Sequence, residues 1–238
     1  MKQAMNKDFH LPDPRRVTVF LGAYGSGKSE VSVNFALWLA GSGRVMLADL
    51  DTINPFYRSA DAEARLRQSD IRLIKPVYAN TNIDVPSIGG EVFSIFDDSS
   101  AKAVLDIGGE DLGARVVSSL RPRFVPEETA VFMVVNLQRP FTATPQRVAA
   151  VAGELAAAAG LPLAGLVDNT NLLGIQDSSL LSESLAMMRE AAGLIGVPVV
   201  FRSALDAHAP AEWGNAMPDG TPLLRMEQTI NYAFSGLT

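Results

Sequence analysis

Apolar residues in this chain gather in short unbroken runs and do not alternate with polar ones. The runs fall at 17–22 (VTVFLG), 44–49 (RVMLAD), 71–75 (IRLIK), 102–107 (KAVLDI), 130–136 (AVFMVVN), 163–168 (LAGLVD) and 197–202 (VPVVFR). Such lengths suit strands, and continuous apolarity is what a parallel sheet buried on both faces demands. Between them the spacing predicts helices at 28–40, 59–69, 111–120, 144–159 and 178–195. Strands that alternate with helices imply right-handed crossovers, and therefore an α/β fold with helices on both sides of a mostly parallel sheet. The segment 76–101 is turn-rich and long for a plain connection, so it reads either as a mobile, partner-facing loop or as an irregular surface excursion.

Composition narrows this picture. The chain has 238 residues, 47% hydrophobic and 19% charged, which fits a short arm over 1–15 and one domain over 16–238. The arm lacks the apolar core of a signal peptide, so a cytoplasmic protein is expected. The alanine-rich stretch 149–167 is interrupted by Glu154 and by Gly160-Leu161-Pro162, and reads as a helix followed by a strand. No cationic amphipathic stretch marks a membrane anchor. A net charge of −6 argues against a broad nucleic-acid surface. The chain has no cysteine, which excludes disulfides, thiolate metal sites, iron–sulfur clusters and cysteine nucleophiles. With only His10 and His208, a histidine metal centre is also disfavoured.

The strongest chemical signal follows the first apolar run. Gly22-Ala23-Tyr24-Gly25-Ser26-Gly27-Lys28-Ser29 fits G-x-x-x-x-G-K-[ST], the phosphate-binding loop. Glycines let successive N–H groups turn inward as an anion nest, and the helix that follows adds the positive end of its dipole. Lys28 is placed to reach the β- and γ-phosphates and Ser29 to bind Mg²⁺. Glu30 stands where a dinucleotide fingerprint would need its last glycine, so that alternative fails.

Acidic partners come from the next strands. Asp49 and Asp51, two apart in an extended segment, leave on the same side. Asp106 closes a third apolar run as a Walker B aspartate does. Asp106-Ile107-Gly108-Gly109 forms D-x-x-G, in which Gly109 can offer its N–H to a γ-phosphate. The guanine-reading N-K-x-D pattern is broken by Leu137 and Arg139, and Asn169 is a candidate for pairing with the adenine edge, so ATP is the expected nucleotide.

With "GAYGSGKS", "VMLADLD", "AVLDIGG" and "GLVDN" in hand, residues 16–205 resemble the MinD/ParA-like branch of SIMIBI-class P-loop ATPases. The resemblance implies a P-loop NTPase fold with about seven mostly parallel strands, and Mg-ATP sandwiched in a homodimer. It implies that Asp51 positions the attacking water, and that Ser29, Asp49 and Asp106 serve Mg²⁺ directly or through its waters. The family's loop carries a lysine where this chain has Ala23, and that lysine reaches the partner's phosphates. Without it, hydrolysis should be slow or another cation such as Arg58, Arg115 or Arg139 must substitute. The expected function is a slow ATPase whose nucleotide state controls a protein partner. A nucleotide-responsive module with little or no hydrolysis and a P-loop kinase with 76–101 as acceptor lid are the alternatives.

Overall fold

A computed structural model describes residues 6–12, 14–50, 63–75, 90–108, 111–172 and 179–229. Their central feature is one all-parallel sheet of eight strands: β1 Val17–Leu21, β2 Val45–Leu50, β3 Ile71–Ile74, β4 Lys102–Ile107, β5 Thr129–Val135, β6 Gly165–Asp168, β7 Val199–Leu205 and β8 Leu223–Met226. The order across the sheet is β3-β2-β4-β1-β5-β6-β7-β8. The apolar runs predicted strands near seven of these places. The eighth, LLRM, adds an edge strand beyond the expected number.

The helices are α1 Lys28–Leu39, α2 Glu63–Gln68, α3 Ser94–Asp97, α4 Asp111–Leu120, α5 Pro145–Ala159 and α6 Ser179–Ile195. Alternate side chains of a strand leave opposite faces, and here both faces are covered. On one, α3 to α6 bury Ile95, Val117, Val148 and Met188 against Val19, Leu105 and Met133. On the other, α1 and α2 bury Val31, Phe35 and Leu66 against Phe20, Leu47 and Val104. The result is the three-layer α/β/α arrangement that the apolar runs predict.

Local chemistry sets the helix ends. Thr144 caps α5, its hydroxyl accepting from the Arg147 N–H, and Pro145 occupies the first turn, where its missing N–H costs nothing. Gly160 ends the same helix in the left-handed conformation at φ 65°. Within 90–101, the described part of the irregular segment, a turn of 3-10 helix leads into α3, and Val92 and Ile95 are fully buried.

Part of the expected arm is seated on the core. Phe9 and Leu11 are 3% exposed, and the Phe9 ring meets Trp38 at 4.9 Å and Phe201 at 5.6 Å, both edge to face. The Asn6 side chain bonds the backbone N–H and carbonyl of Arg225, covering the free edge of β8. Replacing Phe9 with Ala should cost on the order of 2 kcal/mol, less than a mid-core Phe because a chain end can relax. The check is a denaturant midpoint that falls with unchanged slope.

Candidate functional site: a phosphate-binding loop at the switch point of the sheet

β1 lies between β4 and β5, and the chain moves to opposite sides of it before and after β4. This is a topological switch point, where open parallel sheets leave a crevice at the carboxyl ends of their strands. The loop 22–27 spans that crevice between β1 and α1.

Its glycines are required by geometry. Gly25 and Gly27 have φ of 73° and 85°, which disfavours any other residue. A Cβ on Gly22 would lie 2.5 Å from the Val134 carbonyl oxygen, and one on Gly27 would lie 2.2 Å from Asn169 Nδ2. The loop closes with the Ser26 N–H donating to the Ala23 carbonyl at 3.1 Å. Gly27 caps α1 with no side-chain hydrogen bond, so the first N–H groups of that helix keep their capacity for a ligand.

Lys28 is 6% exposed, and its ammonium meets no carboxylate or other acceptor among the described residues. Ser26 Oγ is buried without a hydrogen-bond partner. Burying a cation and a hydroxyl without partners is costly unless a ligand satisfies them. Both belong to one loop at a helix start without a side-chain cap, and an anion with several oxygens fits that set. Ser29 is half-buried at the start of α1, and Tyr24 is 58% exposed at the rim.

The two described acids converge below the loop. Asp49 and Asp106 are register partners on the adjacent parallel strands β2 and β4, and Asp106 also pairs with Phe20 of β1. They are 1% and 0% exposed. Register partners in a parallel ladder point to the same face, about 4.8 Å apart. That face carries α1, since Ser32 Oγ of α1 donates to Asp106 Oδ1 at 3.4 Å. Two carboxylates buried side by side repel unless a cation or proton intervenes. Among the described residues no group of three or more acidic or histidine side chains could cage a metal. Mg²⁺ does not need one, because it takes one or two carboxylates and completes its shell with phosphate oxygens and water. Asp49, Asp106 and Ser29 fit that donor set. Asp51, Gly109 and Arg58 lie outside the described residues, as does the side chain of Arg115.

Three side chains distant in sequence hold the loop and its helix. Asn169, 2% exposed just after β6, donates from Nδ2 to the Ser26 carbonyl at 2.8 Å and accepts at Oδ1 from Ser203 Oγ at 2.9 Å. The expected adenine-edge residue is thus tied to the back of the loop, and reading a base would use its remaining amide hydrogen and lone pair. Ser203 itself carries no sequence signal. Arg139, in the turn after β5, donates from Nε to the Gly25 carbonyl at 3.0 Å. Glu30 is also a candidate nucleotide-binding residue; its Oε1 accepts from the N–H and hydroxyl of Thr229, both at 2.6 Å, which leaves any role at the nucleotide to its backbone N–H. One turn on, Asn34 bonds the backbone N–H and carbonyl of Glu227, so the segment after β8 is stapled along α1.

Replacing Asn169 with Ala removes the loop's rear support and leaves the Ser26 carbonyl unpaired. Nucleotide affinity should fall about tenfold, for an interaction on the order of 1–1.5 kcal/mol. Equilibrium titration with a fluorescent nucleotide checks this.

The sequence matches no protein-family model and no curated protein. The fold does have solved relatives. The chain is similar to the signal recognition particle 54 kDa protein of Aeropyrum pernix, solved with GDP, at 14% identity and a TM-score of 0.51, covering 82% of this chain and 42% of that one. It is similar to the cell division protein FtsY of Thermotoga maritima at 16% identity and 0.50, covering 84% and 66%. FlhF, solved with GMPPNP and Mg²⁺, matches at 11% identity and 0.51, covering 82% and 67%. The chain thus spans from about two fifths to two thirds of the length of these proteins. At such identities the likeness is one of fold, and the fold is that of a P-loop NTPase. Among the described residues no helix is long and apolar enough to cross a membrane.

Proposed function

We propose that this chain binds Mg-ATP at the loop 22–29 and hydrolyses it slowly, as a MinD/ParA-like ATPase whose nucleotide state controls a protein partner. The observation that carries this reading is the buried Lys28, without an acceptor among the described residues, at the uncapped start of α1, with the register partners Asp49 and Asp106 near the carboxyl ends of the adjacent strands β2 and β4. A cation without a described acceptor and two register-paired carboxylates at neighbouring strand ends are a set that a polyphosphate with its divalent ion would balance.

The loop N–H groups and Lys28 would bind and orient the phosphates, and the walls of the crevice would limit water. Ser29, Asp49 and Asp106 would hold Mg²⁺, which when bound neutralises phosphate charge. Asp51, two residues beyond Asp49, would orient the attacking water in line with the γ-phosphate. Catalysis of this kind is positioning and charge stabilisation. Ala23 removes one cation from the loop itself, so turnover is expected to be slow.

Adenine is favoured because neither Asn136-Leu137-Gln138-Arg139 nor Asn169-Thr170-Asn171-Leu172 offers the lysine and carboxylate of a guanine-reading strand end. The competing reading is a guanine nucleotide, supported by the similar proteins solved with GDP and with GMPPNP and Mg²⁺. Direct competition between ATP and GTP decides between them. Replacing Asp51 with Ala should spare Mg-ATP binding and lower turnover by at least about a hundredfold. Unchanged turnover in that variant would remove Asp51 from the water-positioning role. If the unaltered protein binds ATP but never releases phosphate at any protein concentration, it is a nucleotide-responsive module or an acceptor-dependent kinase instead.

A further inference from the structure

The loop is touched by a second cation, delivered from the neighbouring strand. After β5 the chain turns tightly, with the Arg139 N–H donating to the Asn136 carbonyl at 3.1 Å and the Thr142 N–H donating to the Arg139 carbonyl at 3.0 Å. Asn136 fixes the turn further. Its carbonyl accepts from Thr142 Oγ1 at 2.6 Å, and its side-chain oxygen accepts from the Gln138 N–H at 3.0 Å. The backbone that carries Arg139 is therefore held on both sides.

From there the side chain lies flat over Gly25. Nε donates to the Gly25 carbonyl, and a Cβ on Gly25 would sit only 3.3 Å from Nε, 3.6 Å from Cδ and 3.8 Å from Cζ. Gly25 is thus needed twice, for its φ of 73° and for the room Arg139 occupies. The two terminal nitrogens of the guanidinium have no hydrogen-bond acceptor among the described residues, and no carboxylate of those residues pairs with it. The half-buried Arg16 and Arg65 and the buried Arg202 and Arg225 all have carboxylate partners. Arg139 is held at the loop by one N–H and keeps its others uncommitted.

We propose that Arg139 is a second cationic ligand of the nucleotide's polyphosphate, fixed at the rim of the loop by its contact with Gly25. A guanidinium anchored through Nε presents its two amino groups as a planar fork, which suits phosphate oxygens better than an ammonium does. It supplies from the chain's own β5 turn a positive charge that the loop lacks at Ala23. This inference rests on the nucleotide-binding reading above and adds a residue to it.

The test is a charge series at one position: Arg139→Lys, Arg139→Ala and Arg139→Glu, each titrated with Mg-ATP at several salt concentrations beside the unaltered protein and Lys28→Ala. If the charge acts on phosphate, affinity falls in the order Lys, Ala, Glu. The Ala variant should lose about 10- to 100-fold, and its affinity should depend less steeply on salt. If Arg139 only props the loop through Gly25, Lys and Ala lose affinity equally and the salt dependence is unchanged, which overturns the proposal. A flat series overturns it as well. In either of those cases, binding by the unaltered protein that Lys28→Ala abolishes leaves the nucleotide reading standing. No binding by the unaltered protein overturns both.

Discussion

Replacing Lys28 with Met is expected to abolish nucleotide binding while the thermal midpoint of the ligand-free protein stays the same or rises. The two effects share one cause. In the ligand-free molecule Lys28 is 6% exposed and its ammonium meets no acceptor among the described residues, so the charge gains no described contact that offsets its partial desolvation. Methionine has a similar length and shape and carries no charge, so it fills the space without that cost. With nucleotide present the balance reverses. A lysine held against phosphate contributes a charge-assisted contact worth on the order of 3 kcal/mol, or more than a hundredfold in affinity. Functional groups that destabilise their own fold until a ligand arrives are a general pattern. A purely structural lysine would give the opposite signature, a falling midpoint with no ligand effect to lose. Differential scanning calorimetry with and without Mg-ATP separates the two.

The second large effect is expected at Asp106. Asp106→Asn keeps the shape of the side chain and its contact with Ser32, and removes one of two facing charges. Under the proposed function, it removes a carboxylate that would hold Mg²⁺. Mg²⁺ should then no longer tighten ATP binding, and turnover should fall by at least about a hundredfold. The measurement is nucleotide affinity across a Mg²⁺ titration for both proteins. A variant that keeps the full Mg²⁺ dependence would place the ion elsewhere.

The legible parts of this protein are those where local chemistry and tertiary role coincide. Six of the seven strands are legible because a central parallel strand has to be apolar throughout, and the edge strand β3 because Ile71, Leu73 and Ile74 leave a short apolar run. The loop 22–29 could be read because its backbone demands glycine at fixed offsets from a lysine. β8 escaped although it is no shorter than β3; it carries Arg225, a buried arginine whose guanidinium bonds the carbonyls of Ala209, Pro210 and Gly214. No local rule anticipates so many acceptors from one distant turn. The braces on the loop escaped for the same reason. Arg139 meets Gly25 across 114 positions and Asn169 meets Ser26 across 143. The Glu30 side chain likewise finds its partner, Thr229, 199 positions away. Phe9 and Leu11 were read as part of an arm because a short apolar pair between polar residues carries no period.

Polyphosphate binding at the loop is tested most directly by calorimetric titration of the unaltered protein with ATP in Mg²⁺, with GTP and Lys28→Ala in parallel. The expected result is saturable binding of one nucleotide per chain, tighter for ATP than for GTP, dependent on Mg²⁺ and absent in the variant. Binding that survives the loss of Lys28, or no binding of either nucleotide at millimolar concentration, would contradict the proposed function.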